Sequence, residues 1–530
     1  MSLTEAMQER ISNMTLEQKL GMLICARAYI FHDEDLDFII ELIKKRALGA
    51  IQLRANRPDL NERILKEVDY PLIVVADMEQ GYPETELPLI PLISLAACNK
   101  KEYYQAFAKG IVRDAKKAGF NANWGPVVDL LHEDAPCKVS RVLSDDPEKV
   151  AWAAEEIARI FRQNHFLSTG KHFPGGKEGI DGIPVDSHLV ESASTSTEQE
   201  LLESDFLPYK HLMNKGLLPC IMTTHSVFQN IDPEYPVTLS KKVVDIIRNA
   251  GYEGIIFTDS LSMSGIKQKY SEETLHGQCI AAGHDILLPC FNTLTKDVHR
   301  LLKKNYEEGI ITEERLNDAV AHVLAAQDFL GQTPENPTVF TEQDEELLKN
   351  VARDCVTAVT DDGISPALDG NKKKLFVVME EEKRMDEASG EINISPWYNS
   401  KQIGEKIKQE YPDAEVQYLP PLSIPSDHMR VLEAAKTHEE IVLVTYCYTT
   451  AYLGTDCLTR RSEAILNALI HTNKVAALLH FGNPHAVKNL FHVPRKIFGY
   501  IMPESQGYAI QVLNGKTEAK GTLPFKVDFR

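Results

Sequence analysis

Residues 218–259 read LPCIMTTHSVFQNIDPEYPVTLSKKVVDIIRNAGYEGIIFTD, and this stretch decides the fold. It opens on the apolar run Leu218–Thr224 and closes on a second, Gly254–Thr258. Between them Ser240 is placed to cap a helix whose inner face is Val243, Val244, Ile246 and Ile247, and Gly251 stops it. Uninterrupted apolar runs joined by an amphipathic helix are strands of a parallel sheet, covered on both faces.

The same unit recurs on either side. The runs Met22–Ala26, Gly49–Leu53, Leu72–Ala76, Ala122–Val128 and Ser168–His172 precede it, and Asp285–Leu288 follows. Eight such strands within roughly 290 residues predict a (β/α)8 barrel, a fold of typically ~250 residues. The intervening helices are readable as well. Asp146-Pro147 supplies a cap and a first-turn proline for a helix through Val150, Ala153, Ala154, Ile157, Ile160 and Phe161, and Thr197 to Glu200 forms a capping box. Residues 331–345 are polar and contain proline, as a linker does, and a helix over 343–358 leads across. Beyond it, strands are expected at Lys374–Met379, Ile441–Tyr446, Val475–Leu479 and Lys496–Ile501, with helices at 400–410, 427–437 and 460–471. The fold class is therefore α/β: an N-terminal TIM-type barrel over 1–335, a linker and connecting helix over 336–365, and an α/β/α sandwich over 366–530.

Composition narrows the function. The 530 residues are 43% apolar and 25% charged, which is globular usage with a large core. A net charge of −20 repels phosphate backbones, so no nucleic-acid partner is expected. Nine scattered cysteines without a CxxC pair read as reduced thiols, and the N-terminus MSLTEAMQERISNMTLEQKL has no apolar signal core. No stretch reaches the ~18–20 apolar residues of a membrane span. A cytoplasmic protein without a membrane partner is the expectation; the oligomeric state is open.

In a barrel of this kind the chemistry collects at the carboxyl ends of the strands. Strand three runs into Asp77 and Glu79, strand four into Asp129, strand five into Lys171-His172, strand six into His225 and strand seven into Asp259. Strand packing does not require ionisable groups at five neighbouring ends, so the rim reads as functional. Asp259 fits a nucleophile, a metal ligand or a cap for the segment at Leu261 and Met263. After a glycine-rich loop, Asp186 and His188 can hydrogen-bond, with the carboxylate orienting the imidazole for general acid–base work. A solvated loop or a pair of zinc ligands are the other readings. Asp77, Glu79, Arg141, Lys171 and His172 can grip hydroxyl groups, or close the rim with salt bridges.

Seven segments in order carry a resemblance. They are NMTLEQKL at 13–20, DMEQG at 77–81, GPVVD at 125–129, GKHFPG at 170–175, DSH at 186–188, IMTTH at 221–225 and TDSLSM at 258–263. Together they resemble glycoside hydrolase family 3, most closely its beta-N-acetylglucosaminidase branch. HFGNP at 480–484 and GTLP at 521–524 resemble the sandwich that follows the barrel in many members. The resemblance implies a retaining exo-glycosidase acting on a small oligosaccharide or glycoside, with no metal and no cofactor. It implies that Asp259 is the nucleophile, that His188 is the acid/base oriented by Asp186, and that Asp77, Arg141, Lys171 and His172 bind sugar hydroxyls. The Gly175-Gly176 pair after the phenylalanine and proline is more typical of the family's beta-glucosidases, whose acid is often a glutamate of the second domain. A beta-glucosidase or xylosidase, a GlcNAc phosphorylase and a non-catalytic sugar binder are the alternatives.

Overall fold

The apolar runs form eight parallel strands: β1 (Cys25–Arg27), β2 (Ala50–Gln52), β3 (Ile73–Ala76), β4 (Ala122–Asn123), β5 (Leu167–Phe173), β6 (Cys220–Thr223), β7 (Ile255–Ser260) and β8 (Ile286–Leu288). They pair in chain order within one sheet, and a parallel bridge between Ile24 and Leu287 brings the last strand against the first. This is the expected barrel. The computed structural model describes residues 4–28, 33–83, 85, 87–132, 138–180, 185–381, 383–385, 392–394, 397–447 and 457–530; Cys137 lies outside them.

Several strands are shorter than the apolar runs that predict them, β1 and β4 among them. Met22 closes the helix Leu16–Met22, which Thr15 and Gln18 start with a capping box, so β1 begins only at Cys25. β4 stops at Asn123 because Pro126, three residues on, has no N–H for the ladder; pairing resumes at a single Val127–Lys171 bridge. The helices start where their caps lie. Asp146 accepts from Glu148 N at 2.9 Å, and Ser240 accepts from Val243 N at 3.2 Å.

At the amino end of β8 sits a fully buried carboxylate. Asp285 Oδ2 accepts from Ile256 N of β7 at 2.8 Å and from Arg248 at 2.6 Å, while Oδ1 is shared by His322 at 3.0 Å and Arg315. Burial pushes its pKa up, but Arg248, His322 and Arg315 hold it well below the usual carboxylate range. The cluster ties β7 and β8 together at the end opposite the rim.

The chain folds as two compact units, Met1–Leu89 with Tyr104–Ala135 and Val142–Glu345, and Ile90–Tyr103 with Pro136–Arg141 and Glu346–Arg530. The second unit holds a six-stranded sheet of β9 (Thr357–Thr360), β10 (Lys374–Met379), β11 (Glu415–Leu419), β12 (Glu440–Cys447), β13 (Val475–Gly482) and β14 (Arg495–Phe498). Its order is β9-β14-β13-β12-β10-β11; all pairs are parallel except β9 with β14. One face packs Phe376, Val378, Val442, Val444 and Leu479 against Ile403, Ile407 and Ile510 from the helices Ser400–Glu410 and Pro503–Leu513. Helices Pro425–Lys436 and Arg460–Ile470 complete the sandwich. The helix expected to run to 358 stops at Asp354, and Thr357–Thr360 instead joins β14 as an edge strand, which its β-branched residues suit. Within this unit Ala97 O accepts from Thr522 N at 2.9 Å and Tyr103 bonds Asp354 at 2.6 Å, so the stretch 90–103 goes with it. Among the described residues no helix is long and apolar enough to cross a membrane.

Candidate active site

The strand ends of the first unit bring the predicted residues together as Lys171 with two carboxylates, a His172–Asp129 pair, and Asp259 beside His225. Lys171 on β5 is buried at 2% exposure, and a buried ammonium needs compensation. Its Nζ donates to Asp77 Oδ1 at 2.8 Å and to Glu79 Oε1 at 2.5 Å, both just past β3. Asp77 remains 57% exposed on its side chain, with acceptor capacity toward the open rim.

His172 is held from β4. Asp129, buried, accepts the His172 backbone N–H on Oδ1 at 2.9 Å and the ring Nδ1–H on Oδ2 at 2.8 Å. An ionised carboxylate only accepts, so Nδ1 carries the proton and Nε2 is aimed outward. Nε2 lies 3.8 Å from Asp259 Oδ2. The peptides Gly125–Pro126, Lys171–His172 and Phe173–Pro174 are cis.

Asp259 stands near the end of β7. Ser260 N donates to its Oδ1 at 2.6 Å. Burial raises its pKa, yet the imidazoles of His172, His225 and His188 with the Ser260 N–H outweigh it and bring the carboxyl to about 2. His225 itself is fully buried, and desolvation lowers its pKa despite Asp259 and the Ser260 carbonyl. Its Nε2–H donates to Ser260 O at 2.9 Å, and Nδ1 meets Thr238 Oγ1 at 2.5 Å.

Asp186 and His188 pair as expected. One oxygen, Asp186 Oδ1, accepts the His188 N–H at 3.0 Å and the ring Nδ1–H at 2.8 Å, which leaves Nε2 on the far side of the ring. Asp186 is buried and His188 half-buried. The described parts of the loop that carries them are pinned on both sides. Gly175 and Gly176 take φ of +81° and +88°, and a Cβ on Gly175 would come within 2.9 Å of Asp205. Asp205 Oδ1 accepts from Gly176 N at 2.8 Å and from His132 at 2.7 Å. Farther on, Glu178 Oε1 accepts from Thr224 at 2.9 Å and Ser226 at 2.8 Å, and His188 O accepts from Ser264 N at 3.1 Å.

Arg141 falls in the segment that goes with the second unit, where its N–H donates to Lys138 O at 2.8 Å. Two polar residues at the site were not anticipated. Glu178 sits in a loop whose sequence carries no distinguishing signal. Arg27 directly follows the first apolar run, so the rule that found the other strand-end charges applies to it too. It donates to Ser260 at 2.8 Å and Ser262 at 3.2 Å.

An ionised carboxylate facing a carboxylate-oriented imidazole, beside a lysine–carboxylate cradle, is equipped for acid-assisted displacement at a polyhydroxylated substrate. The model of the Glycosyl hydrolase family 3 N terminal domain matches residues 15–326, more than half of the chain. The chain belongs to glycoside hydrolase family 3.

Within family 3 it is 26% identical over 345 residues to a Cellulomonas fimi "Beta-N-acetylglucosaminidase/beta-glucosidase", a match covering 61% of this chain and 59% of that protein. It is 29% identical over 240 residues to a Pseudomonas aeruginosa (strain LESB58) beta-hexosaminidase, covering 45% of this chain and 68% of that one. Two solved structures share the fold nearly end to end. A family 3 beta-N-acetylglucosaminidase from Paenibacillus sp. str. FPU-7 aligns at TM-score 0.77 and 24% identity over 97% of this chain and 99% of that chain. "Beta-glucoside phosphorylase BglX" aligns at TM-score 0.79 and 19% identity over 99% and 97%.

Proposed function

We propose that this family 3 protein is a retaining exo-glycosidase that releases terminal, non-reducing β-linked N-acetylglucosamine through a covalent glycosyl-enzyme. Asp259 Oδ2 attacks C1 and forms an ester as the glycosidic C–O bond breaks. His188, held by Asp186, gives its proton to the leaving oxygen. The neutral imidazole then takes a proton from water as that water attacks C1 and breaks the ester. Two displacements at one carbon retain the anomeric configuration. Charge complementarity favours the step, because the transition state is oxocarbenium-like and the carboxylate beneath it is anionic. Asp77, Lys171, His172 and Arg141 bind hydroxyls of the non-reducing sugar. The barrel ends near residue 335 and the sandwich sheet begins with β9 at Thr357, and the protein works in the cytoplasm without a nucleic-acid or membrane partner.

One observation carries this reading: the Asp259 carboxyl is held at about 2 by three imidazoles, one of which is His188, itself bonded to Asp186 at 2.8 Å. A histidine acid supports N-acetylglucosaminide cleavage over the beta-glucosidase alternative, whose acid comes from a second-domain glutamate. A second reading, phosphorolysis, is favoured by the same residue. Once deprotonated, His188 carries no charge to repel phosphate, unlike a glutamate.

The test is a panel of chromogenic N-acetylglucosaminide, glucoside and xyloside, each with and without inorganic phosphate, with products followed by NMR. Hydrolysis of the N-acetylglucosaminide with the β-anomer formed first is expected. An α-anomer as first product contradicts retention, faster glucoside turnover contradicts the sugar assignment, and a sugar 1-phosphate selects the second reading. No turnover of any sugar leaves a non-catalytic binder.

A further inference from the structure

Arg27 ends β1 with 6% of its surface exposed. Burying a guanidinium is costly unless charge or hydrogen bonds compensate. Among the described residues no carboxylate pairs with it. Its donors go to two hydroxyls instead: Nη2 to Ser260 Oγ at 2.8 Å and Nη1 to Ser262 Oγ at 3.2 Å, while Nε has no partner. Nothing in the packing of a strand end calls for a cation so spent.

The two serines stand one and three residues past Asp259. Ser260 N–H is the donor on Asp259 Oδ1 at 2.6 Å, and Ser260 O accepts from His225 at 2.9 Å. Ser262 N closes the turn onto Ser260 Oγ at 3.3 Å, and Ser262 Oγ accepts from Phe291 N at 2.8 Å. The turn after the nucleophile is thus fixed from β1, from the segment after β6 and from the segment after β8.

We propose that Arg27 is a positioning residue for Asp259: its forked grip on Ser260 and Ser262 keeps the Ser260 N–H on Oδ1, so that Oδ2 is the oxygen presented to the sugar's C1. This rests on Asp259 being the nucleophile. A planar guanidinium spans two hydroxyls with fixed geometry, whereas a lysine ammonium is a point charge on a flexible stem. The residue acts through Ser260 and touches no substrate.

The experiment compares the full-length wild type with Arg27→Ala, Arg27→Lys and Ser260→Ala. It measures thermal melting, kcat and KM on an activated aryl N-acetylglucosaminide, and the rate at which a fluorinated sugar labels Asp259 by mass spectrometry. Each variant is expected to label about 10–100-fold more slowly with KM little changed, the scale of an ångström-level misplacement of a reacting group. Added methylguanidinium is expected to restore the Arg27→Ala rate and to leave wild type and Ser260→Ala unmoved. Labelling of Arg27→Ala at the wild-type rate overturns the inference. So does a loss in Arg27→Ala that methylguanidinium does not restore while Ser260→Ala labels normally, because the defect then lies in folding. If Asp259 of the wild type is never labelled during turnover, the nucleophile assignment fails first and the role of Arg27 falls with it.

Discussion

His188 is the residue on which the chemistry divides. In its proposed role of general acid it matters in proportion to how badly the leaving group needs a proton. His188→Ala is expected to lower kcat about 10²–10⁴-fold on glycosides with poor leaving groups and far less on activated aryl glycosides. Equal losses on both, measured side by side, contradict the acid role. His172 Nε2 lies 3.8 Å from Asp259 Oδ2. It is the strongest of the charges that oppose burial and bring the Asp259 carboxyl to about 2. The depressed pKa keeps Asp259 ionised above that value. Removing the imidazole in His172→Gln lets desolvation push the pKa up, so the acid limb of kcat/KM moves to higher pH. A limb that stays in place in the pH profile of the variant refutes the electrostatic coupling. The strand-end carboxylates, Lys171 and the imidazoles were legible because polar groups at the tips of apolar strands have no packing reason to be there. Arg27 obeys the same rule at the end of the first strand, but its bonds to Ser260 and Ser262 join positions more than 230 residues apart, which no local pattern reveals.

At the scale of elements, β7 carries Asp259 near one end, and its opposite end is anchored by Asp285. Asp285→Asn removes the buried carboxylate shared by Arg248, Arg315 and His322 and leaves two partly buried guanidiniums without it. A loss of about 3–5 kcal/mol in the free energy of unfolding is expected, read from denaturant titration. The sign with pH is fixed by the depressed carboxyl. Its stabilisation is full above the unfolded value of ~3.9 and is lost as pH falls toward the folded one, so wild type and variant converge in acid. A difference that grows on acidification contradicts this. The barrel strands were readable from uninterrupted apolar runs, since both faces are buried. β11 was not, because Glu415–Leu419 is a half-buried edge strand with a polar, alternating sequence and no apolar run. β9 was hidden for another reason: its residues continue a helical pattern, and only pairing with the distant β14 makes them a strand.

For the whole molecule, the net charge of −20 sets the long-range field. The protein is expected not to retard duplex DNA in a gel-shift assay even at low salt, where any electrostatic affinity is largest. A salt-sensitive shift contradicts the exclusion of nucleic acid. Which stretches of chain share a unit is a whole-molecule property that linear reading does not supply. The helix Leu92–Cys98 lies in sequence among the barrel elements, yet it goes with the sandwich, where Ala97 O takes the N–H of Thr522 from the far end of the chain. The motifs themselves survived this, because the segments from β3 to β7 that carry the site are contiguous with barrel strands.

The central claim concerns a single bond between Asp259 and the anomeric carbon. The most direct measurement is to incubate the protein with a slow fluorinated N-acetylglucosamine donor, quench in acid, digest and sequence the labelled peptide by mass spectrometry. The account predicts one sugar ester per chain, on Asp259, formed at a rate that matches inactivation and lost when turnover resumes. A label on any other side chain, or steady turnover with Asp259 never modified, contradicts it.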